Sequence, residues 1–177
     1  NSKIIFWVEQ PRQHMKCATC HSKDVILRGG KYRRFRSVPI GKKAVEIMFF
    51  VHRLQCHKCG DLRQAKIPFA DPNKRYTRSF ARYVIELCRH MTIQDVANHL
   101  HVHWDVIKNI QKDYLKRRFS APQLKQLDQI AIDEIAVAKG HQYVTVVMDL
   151  KSGAVIYLGD GKGSDSLLPF WKRLKNS

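Results

Sequence analysis

Four of the five cysteines in the sequence fall into two pairs with the same C-x-x-C spacing. The first pair, Cys17 and Cys20, lies in CATCH, and the second, Cys56 and Cys59, lies in QCHKCG. Two such pairs supply four thiolates, the ligand set of a tetrahedral structural zinc site. Stable disulfides would require secretion, and the first residues lack the pattern of a signal peptide. We therefore expect these four cysteines to hold a structural Zn²⁺ ion.

Taken alone, CATCH permits other chemistry. It fits the C-x-x-C-H attachment signature of c-type haem, and a single C-x-x-C pair can also be a redox dithiol or a disulfide. The second, identically spaced pair favours zinc, so we expect no haem. His21 or His57 could replace a cysteine as a ligand, although such histidines are more often solvated neighbours. Cys88, in the apolar run YVIELC, is most simply a small buried hydrophobic residue.

A hairpin must bring the two pairs together. Between them, Pro39-Ile40-Gly41 is a turn signal flanked by two runs of strand-forming residues. A hairpin here returns the second pair to the first, which is the geometry of a zinc ribbon. The hairpin is strongly basic, and Arg33, Arg34 and Arg36 are candidates for contacts with DNA phosphates, the alternative being an ordinary solvated face.

The pattern changes to a period of 3.6 after the Pro-containing segment KIPFADPNKRYT. A helix of about 15 residues is followed by a short helix, IQDVANHL, with Thr92 as its N-cap, and by a longer helix that begins at His103 or Trp104. This order predicts a helix-turn-helix. Its expected core is Ile93, Val96, Ala97, Leu100, Val102, Val106 and Ile110.

The charge balance indicates a polyanionic partner. With 32 basic and 15 acidic residues, the net charge is +17, and nucleic acid is the leading candidate, ahead of an acidic membrane surface. No run of 18 apolar residues is present, so we expect no membrane-spanning helix. In a DNA-binding unit the second helix of the motif enters the major groove; the alternative is a plain three-helix bundle. The candidate DNA contacts are His103, Trp104, Lys108, Asn109 and Lys112.

The last third of the chain has a sequence pattern typical of β-strands. Three strand runs, beginning IAIDEIAV, precede the helical segment SDSLLPFWKRLK. Three antiparallel strands and a helix would open an RNase H-like fold, in which carboxylates near strand ends bind divalent cations. Asp133 is the candidate ligand because a carboxylate in an apolar strand is costly to bury without a partner. Alternatively, Asp133 lies at an exposed edge or pairs with Lys139.

These three features, in this order, resemble the ISL3 family of bacterial insertion-sequence transposases, which belong to the DDE class. The most specific match is the run containing Asp133-Glu134, Lys139-Gly140-His141, Tyr143, Thr145 and Asp149-Leu150, and the turn element Arg36-Ser37-Val38-Pro39-Ile40-Gly41 is also similar. The resemblance implies that Asp133 is the first of three catalytic carboxylates that bind Mg²⁺. The other two come from later elements in the family, so we expect this segment to be inactive alone.

The expected architecture is multidomain α+β. Residues 1–70 form a zinc ribbon, residues 71–120 a helix-turn-helix, and residues 121–177 the first strands and helix of a truncated RNase H-like α/β domain. The resemblance implies a transposase that binds transposon ends as double-stranded DNA, joins and cuts strands by metal-dependent phosphoryl transfer, and acts as a homodimer in the bacterial cytoplasm, associated with the nucleoid. The alternative is a non-catalytic DNA-binding regulator.

Overall fold

The computed structural model describes residues 3–120, 122 and 124–177 of the chain. Within them the protein is α+β, with four α-helices and two β-sheets. Its contacts divide it into two compact units, Asn1–Tyr114 and Leu115–Ser177. The three domain ranges expected from the sequence stay predictions.

The first unit begins with a sheet built on a long hairpin. Its strands are β1 (Lys3–Val8), β2 (Val25–Ile40), β3 (Lys43–Cys56) and β4 (Leu62–Gln64), and a short 3-10 helix spans Arg12–His14. Strands β2 and β3 are antiparallel and turn at Gly41, whose positive φ of 58° suits glycine. Strand β1 pairs parallel with β3, and β4 pairs antiparallel with the end of β3. The predicted hairpin is therefore confirmed.

The two faces of this sheet differ because side chains alternate along a strand. On one face Phe35, Phe49 and Val51 are buried, and they pack with Phe69 and Ala70 from the segment after β4. The apolar side chains of this Pro-containing segment cover the sheet. The segment is thus part of one core with strands β1–β4, and strands and segment together are hereafter the ribbon.

The opposite face carries a row of aromatic rings. The ring centroids of Trp7 and Tyr32 are 5.0 Å apart, those of Tyr32 and Phe50 4.9 Å, and those of Phe50 and His52 4.7 Å. Gly30 makes room for this row, since a Cβ atom there would lie 2.6 Å from Phe50 Cε1. Edge-to-face contacts of this kind stabilise a sheet beyond the area that they bury.

Three helices follow in the first unit: α1 (Arg78–Leu87), α2 (Ile93–Leu100) and α3 (Trp104–Phe119). Thr77 Oγ1 accepts a hydrogen bond from Phe80 N (3.0 Å), and Thr92 Oγ1 accepts one from Asp95 N (3.2 Å), so each threonine caps a helix. The predicted cap at Thr92 is confirmed. Helix α1 has 10 residues, not about 15, because the chain turns between Leu87 and Thr92.

The three helices share one core, formed by the fully buried Phe80, Val84, Val96, Ala97, Leu100, Ile107 and Ile110. The expected helix pair and most of its core residues are therefore present. Ile93, Val102 and Val106 were expected in this core; they pack against it but are only partly buried, whereas Ile107 is fully buried. Ile107 and Ile110 lie three residues apart and share the inner face of α3.

Arg36 connects the ribbon to these helices. Its guanidinium donates a hydrogen bond to the carbonyl of Leu100 (2.8 Å), the last residue of α2. Its backbone accepts a hydrogen bond from Thr77 N (2.9 Å) and donates one to the carbonyl of Arg75 (2.9 Å). A cation at a helix C-terminus is favourable because the last carbonyls carry partial negative charge. The residues just before α1 are therefore hydrogen-bonded to the edge of β2.

The second unit is a three-stranded sheet with one helix. Strands β5 (Ile130–Ala138), β6 (Gln142–Asp149) and β7 (Val155–Asp160) are antiparallel in the order β5-β6-β7, and α4 (Ser164–Lys175) follows. The buried core contains Leu124, Val147, Ile156 and Phe170. The expected three strands and helix are confirmed, and the RNase H-like fold stays a prediction.

We expect Arg36→Met to lower the free energy of unfolding of the first unit by about 1–3 kcal/mol, because the Leu100 carbonyl loses a charged donor. Urea unfolding followed by circular dichroism measures this. The matched control is Arg34→Met, whose side chain is 62% exposed and forms an ion pair with Glu46; it should cost less than about 1 kcal/mol. Equal losses in the two variants would contradict the role given to Arg36.

Candidate functional site

The four paired cysteines meet at one point of the first unit. The Sγ atoms of Cys17, Cys20, Cys56 and Cys59, hereafter the cysteine cluster, all lie within 4.8 Å of one another. The distance from Cys17 Sγ to Cys59 Sγ is 3.6 Å, and that from Cys20 Sγ to Cys56 Sγ is 3.5 Å. A tetrahedral zinc site with Zn–S bonds of about 2.3 Å has S–S edges of ~3.8 Å. The cluster can therefore hold a metal such as zinc.

The two C-x-x-C turns have the same backbone geometry. Cys17 N donates to Ser22 O, and Cys56 N donates to Asp61 O, each at 2.9 Å. The residue after each second cysteine is left-handed, with φ of 59° at His21 and 71° at Gly60. His21 thus occupies the turn position that Gly60 occupies in the second pair. The candidate metal-binding group contains neither His21 nor His57.

The thiols of the cluster influence each other's ionisation. The backbone N–H groups of Cys20 and Thr19 point at Cys17 Sγ and lower the pKa of this thiol to about 6. At Cys59 the backbone N–H of Asp61 lowers the pKa, but the neighbouring cysteine sulfurs and loss of solvent outweigh it and raise the pKa to about 12. The Cys17 thiol therefore ionises more easily than the Cys59 thiol, and four thiolates this close together would also repel one another. A bound cation removes that obstacle.

Asp61 is a supporting residue that the sequence reasoning missed. The hydroxyl of Thr19 donates a hydrogen bond to its carboxylate, and Arg63 forms an ion pair with it at 3.0 Å. These contacts, the Thr19 bond first, hold the pKa of Asp61 below its usual range. Asp61 therefore connects the first C-x-x-C turn to the segment that follows the second C-x-x-C turn. In the sequence it is merely an acidic residue after Gly60, which gives no sign of this role.

The helix-turn-helix presents a polar face at the start of α3. Trp104, Lys108, Asn109 and Lys112, hereafter the α3 face, are exposed, and Lys108 Nζ lies 4.7 Å from the centroid of the Trp104 ring. Residues four apart on a helix share a face, so Trp104, Lys108 and Lys112 form one row. His103 is also exposed, and its Nδ1 accepts a hydrogen bond from Asp105 N (3.3 Å). The structure thus brings these five sequence-predicted residues together.

The three arginines predicted on the hairpin do not form one surface. The side chain of Arg34 lies 3.6 Å from Glu46 Oε2, and the guanidinium of Arg33 lies 5.4 Å from the centroid of the Phe35 ring. Arg36 points into the first unit and donates to the carbonyl of Leu100. Successive residues of a strand face opposite sides of the sheet, so Arg33 lies on the face opposite to that of Arg34 and Arg36.

Asp133 lies on β5, an edge strand of the second unit, and its side chain is exposed. Its Oδ1 atom accepts a hydrogen bond from Glu134 N (2.8 Å), and it pairs with Val146 in the ladder. Within the described residues, Asp133 belongs to no group of three or more side chains that could hold a metal. The exposed carboxylate is therefore available as one metal ligand. Of the two alternatives given by the sequence, burial in an apolar strand and an exposed position, the structure shows the exposed one.

The other carboxylates of this unit have local partners. Asp149 accepts hydrogen bonds from the Ser152 hydroxyl, from Lys151 N (3.1 Å) and from Ser152 N (3.2 Å), and these contacts, the hydroxyl first, lower its pKa. Asp149 therefore stabilises the turn between β6 and β7. Glu134 Oε1 accepts a hydrogen bond from Gly163 N (2.7 Å), which joins β5 to the loop before α4. No described helix is long and apolar enough to cross a membrane.

Comparison with known proteins identifies both parts of the chain. Residues 65–115 match the family model described as the helix-turn-helix domain of transposase family ISL3, and residues 130–177 match a family model described as a transposase. The first match covers the helices that carry the α3 face. The second covers the sheet that carries Asp133. No solved structure matches the chain.

Curated relatives agree with these models. The chain is 28% identical over 160 residues to the transposase for insertion sequence element IS1001 of Bordetella parapertussis, covering 90% of this chain and 39% of the relative. It is 26% identical over 164 residues to the transposase for insertion sequence element IS1557 of Mycobacterium tuberculosis, covering 90% of this chain and 36% of the relative. The chain thus spans about two fifths of the length of the curated relatives it matches. With both models in the order of the two units, the chain belongs to the ISL3 family of insertion-sequence transposases.

Proposed function

We propose that this chain is the DNA-binding part and the beginning of the catalytic domain of a transposase that binds the ends of its insertion sequence. The observation that carries this is the exposed α3 face, which lies on the second helix of a helix-turn-helix that matches the transposase family model. In such motifs this helix enters the major groove. The net charge of +17 supports a polyanionic partner.

The α3 face offers two kinds of DNA contact. Lys108 and Lys112 suit phosphates, which position a protein on the duplex, whereas the amide of Asn109 can bind the edge of an adenine with two hydrogen bonds. Trp104 holds Lys108 by a cation–π contact at 4.7 Å. We propose that Asn109 contributes to sequence readout and that the lysines contribute mostly affinity.

The cysteine cluster is proposed to bind one Zn²⁺ ion with a structural role. Four thiolates fit zinc better than magnesium or calcium, which prefer oxygen ligands. A bound Zn²⁺ would join the two ends of the β2–β3 hairpin and so give the ribbon the rigidity that its small core lacks. The ribbon would then be presented to DNA together with the helix-turn-helix, to which Arg36 ties it.

Asp133 is proposed as the first catalytic carboxylate of an RNase H-like domain. Its exposed oxygens would serve as one ligand of Mg²⁺, together with carboxylates from the part of the protein that follows. Mg²⁺ in such a site stabilises the charge that develops during phosphoryl transfer between DNA strands. The residues of this chain bind and position the DNA, so that the scissile phosphate is presented to that site. We propose that the complete protein acts as a homodimer, in the cytoplasm and at the nucleoid.

Loss of one cysteine of the cluster should release the metal. We expect Cys56→Ser to lose most of the bound zinc and to unfold the ribbon, because the binding energy of structural zinc is folding energy. Zinc content per chain and thermal melting measure this. Cys88→Ser is the matched control, since Cys88 lies outside the cluster, and it should keep about one zinc per chain. A Cys56→Ser protein with full zinc and normal melting would refute the assignment.

Two substitutions on the α3 face should separate readout from affinity. Asn109→Ala should reduce the preference for insertion-sequence ends over unrelated duplex by about 1–3 kcal/mol, because a base contact is lost. Lys112→Gln should weaken binding to both duplexes by a similar factor, because phosphates are the same in every sequence. Competition binding at one stated salt concentration measures both. Unchanged preference in Asn109→Ala would remove this residue from the readout.

In the full-length protein, Asp133→Asn should abolish strand cleavage while DNA affinity stays nearly unchanged, because the amide is a poor ligand for Mg²⁺. Glu134→Gln is the matched control, since its amide oxygen can still accept the hydrogen bond from Gly163 N. Cleavage of labelled end DNA is the measurement. Cleavage by Asp133→Asn at the control's rate would show that Asp133 binds no catalytic metal and would favour a non-catalytic regulator.

A further inference from the structure

We propose that a groove on the ribbon, lined by Arg28, Lys31, Arg53 and Arg63, binds the phosphate backbone of double-stranded DNA. This ribbon groove is separate from the α3 face and from the three arginines expected to contact DNA. The inference rests on the proposed DNA-binding function and assigns part of that binding to a specific surface.

The ribbon groove lies between β2, β3 and β4. It has a volume of about 810 Å³, and its remaining walls are formed by Gly30, Val51, Leu62 and Gln64. No carboxylate lines it, although four of its eight lining residues are basic. A concave surface with charges of one sign concentrates the field and attracts a polyanion.

A β-bulge creates this concentration of charge. Leu27 pairs with Leu54 and Gly30 with His52, so Arg28 and Gly29 together oppose the single residue Arg53. Gly29 has a φ of 77°, a left-handed conformation that glycine adopts without strain. The extra residue shifts the alternation of β2, so that Lys31, which pairs with Val51, falls on the same face of the sheet as Arg28 and Arg53. Like charges on one face of neighbouring strands destabilise a sheet, so the arrangement costs stability when no anion is bound.

Acidic side chains of the protein neutralise little of the positive charge of the ribbon groove. Arg28 Nε donates to the neutral Gln55 Oε1 at 2.7 Å, and Arg63 alone of the four has an ion pair in the described residues, with Asp61. Lys31 and Arg53 are exposed. Guanidinium groups bind phosphate through two parallel hydrogen bonds, and an exposed cation pays little desolvation to do so. A phosphate backbone therefore fits the groove better than a carboxylate-bearing protein of mixed charge.

The groove suits duplex better than unpaired bases. Proteins that bind single strands combine a basic groove with aromatic rings on which bases stack. The lining of the ribbon groove contains no aromatic side chain. The aromatic row of Trp7, Tyr32 and Phe50 lies on the other face, since Val51 lines the groove and its neighbour Phe50 points away.

The cysteine cluster supports one wall of this groove. Strand β4 begins at Leu62, directly after the second C-x-x-C turn, and its Arg63 pairs with Asp61. Asp61 also accepts the hydrogen bond from Thr19 of the first turn. The position of Arg63 therefore depends on both turns being held together. A structural metal thereby contributes to DNA binding without contacting DNA.

The test is the salt dependence of binding to a duplex of arbitrary sequence. Each phosphate contact changes the slope of log K against log salt concentration by about 0.9. The intact protein carrying both Lys31→Gln and Arg53→Gln should therefore show a slope that is less negative by about 1.8, with zinc content unchanged. A variant carrying Lys172→Gln and Lys175→Gln loses the same charge from exposed sites on α4 and should keep the wild-type slope.

Each outcome decides one claim. A groove variant with the wild-type slope overturns the ribbon groove, and so does an equal change in the α4 variant, because the effect would then follow net charge alone. A larger loss for a single-stranded oligonucleotide of the same length than for the duplex overturns the assignment to duplex. Failure of the wild-type protein to bind any duplex would instead overturn the proposed function itself.

Discussion

The close approach of four cysteine sulfurs is the constraint on which the first unit depends. The cysteine cluster gathers its sulfurs within 4.8 Å, and its neighbouring sulfurs raise the pKa of Cys59, so that this thiol resists ionisation. A divalent cation bound by the four sulfurs would crosslink the ends of the hairpin. The small apolar core around Met15, Val25 and Leu54 would then need only to pack against a preformed junction.

Strand β2 connects the cysteine cluster to the ribbon groove and to the helices. At one end it follows the first C-x-x-C turn, in its middle the bulge at Gly29 gathers the charges of the ribbon groove, and at Arg36 it joins the helices. The pairing of β2 with β3 is regular from Val25 to Leu27 and from Gly30 to Ser37. These hydrogen bonds fix the cysteine end of β2 relative to Arg36. The ribbon and the helix-turn-helix are therefore parts of one compact unit.

The features predictable from the sequence are those encoded by short, local patterns. The cysteine spacing, the turn at Gly41 and the N-cap at Thr92 each depend on a few neighbouring residues, and each is present. The role of Arg36 could not be predicted, because an arginine in a basic strand looks the same whether it contacts phosphate or a helix C-terminus. Val106 and Ile107 lie four and three residues before Ile110, so helical spacing alone does not show that Ile107 is the fully buried one. The exposure of Asp133 likewise could not be predicted, because the apolar residues around it on β5 are themselves mostly exposed.

The central claim is that a zinc ion bound by four sulfurs organises the ribbon. X-ray absorption spectroscopy at the zinc K edge, on the purified protein, tests it most directly, because the spectrum reports the number and type of ligands. We predict one zinc per chain, with four sulfur ligands at about 2.3 Å and no nitrogen or oxygen ligand. A first shell containing histidine nitrogen, or a fully folded ribbon that binds no zinc, would contradict the account.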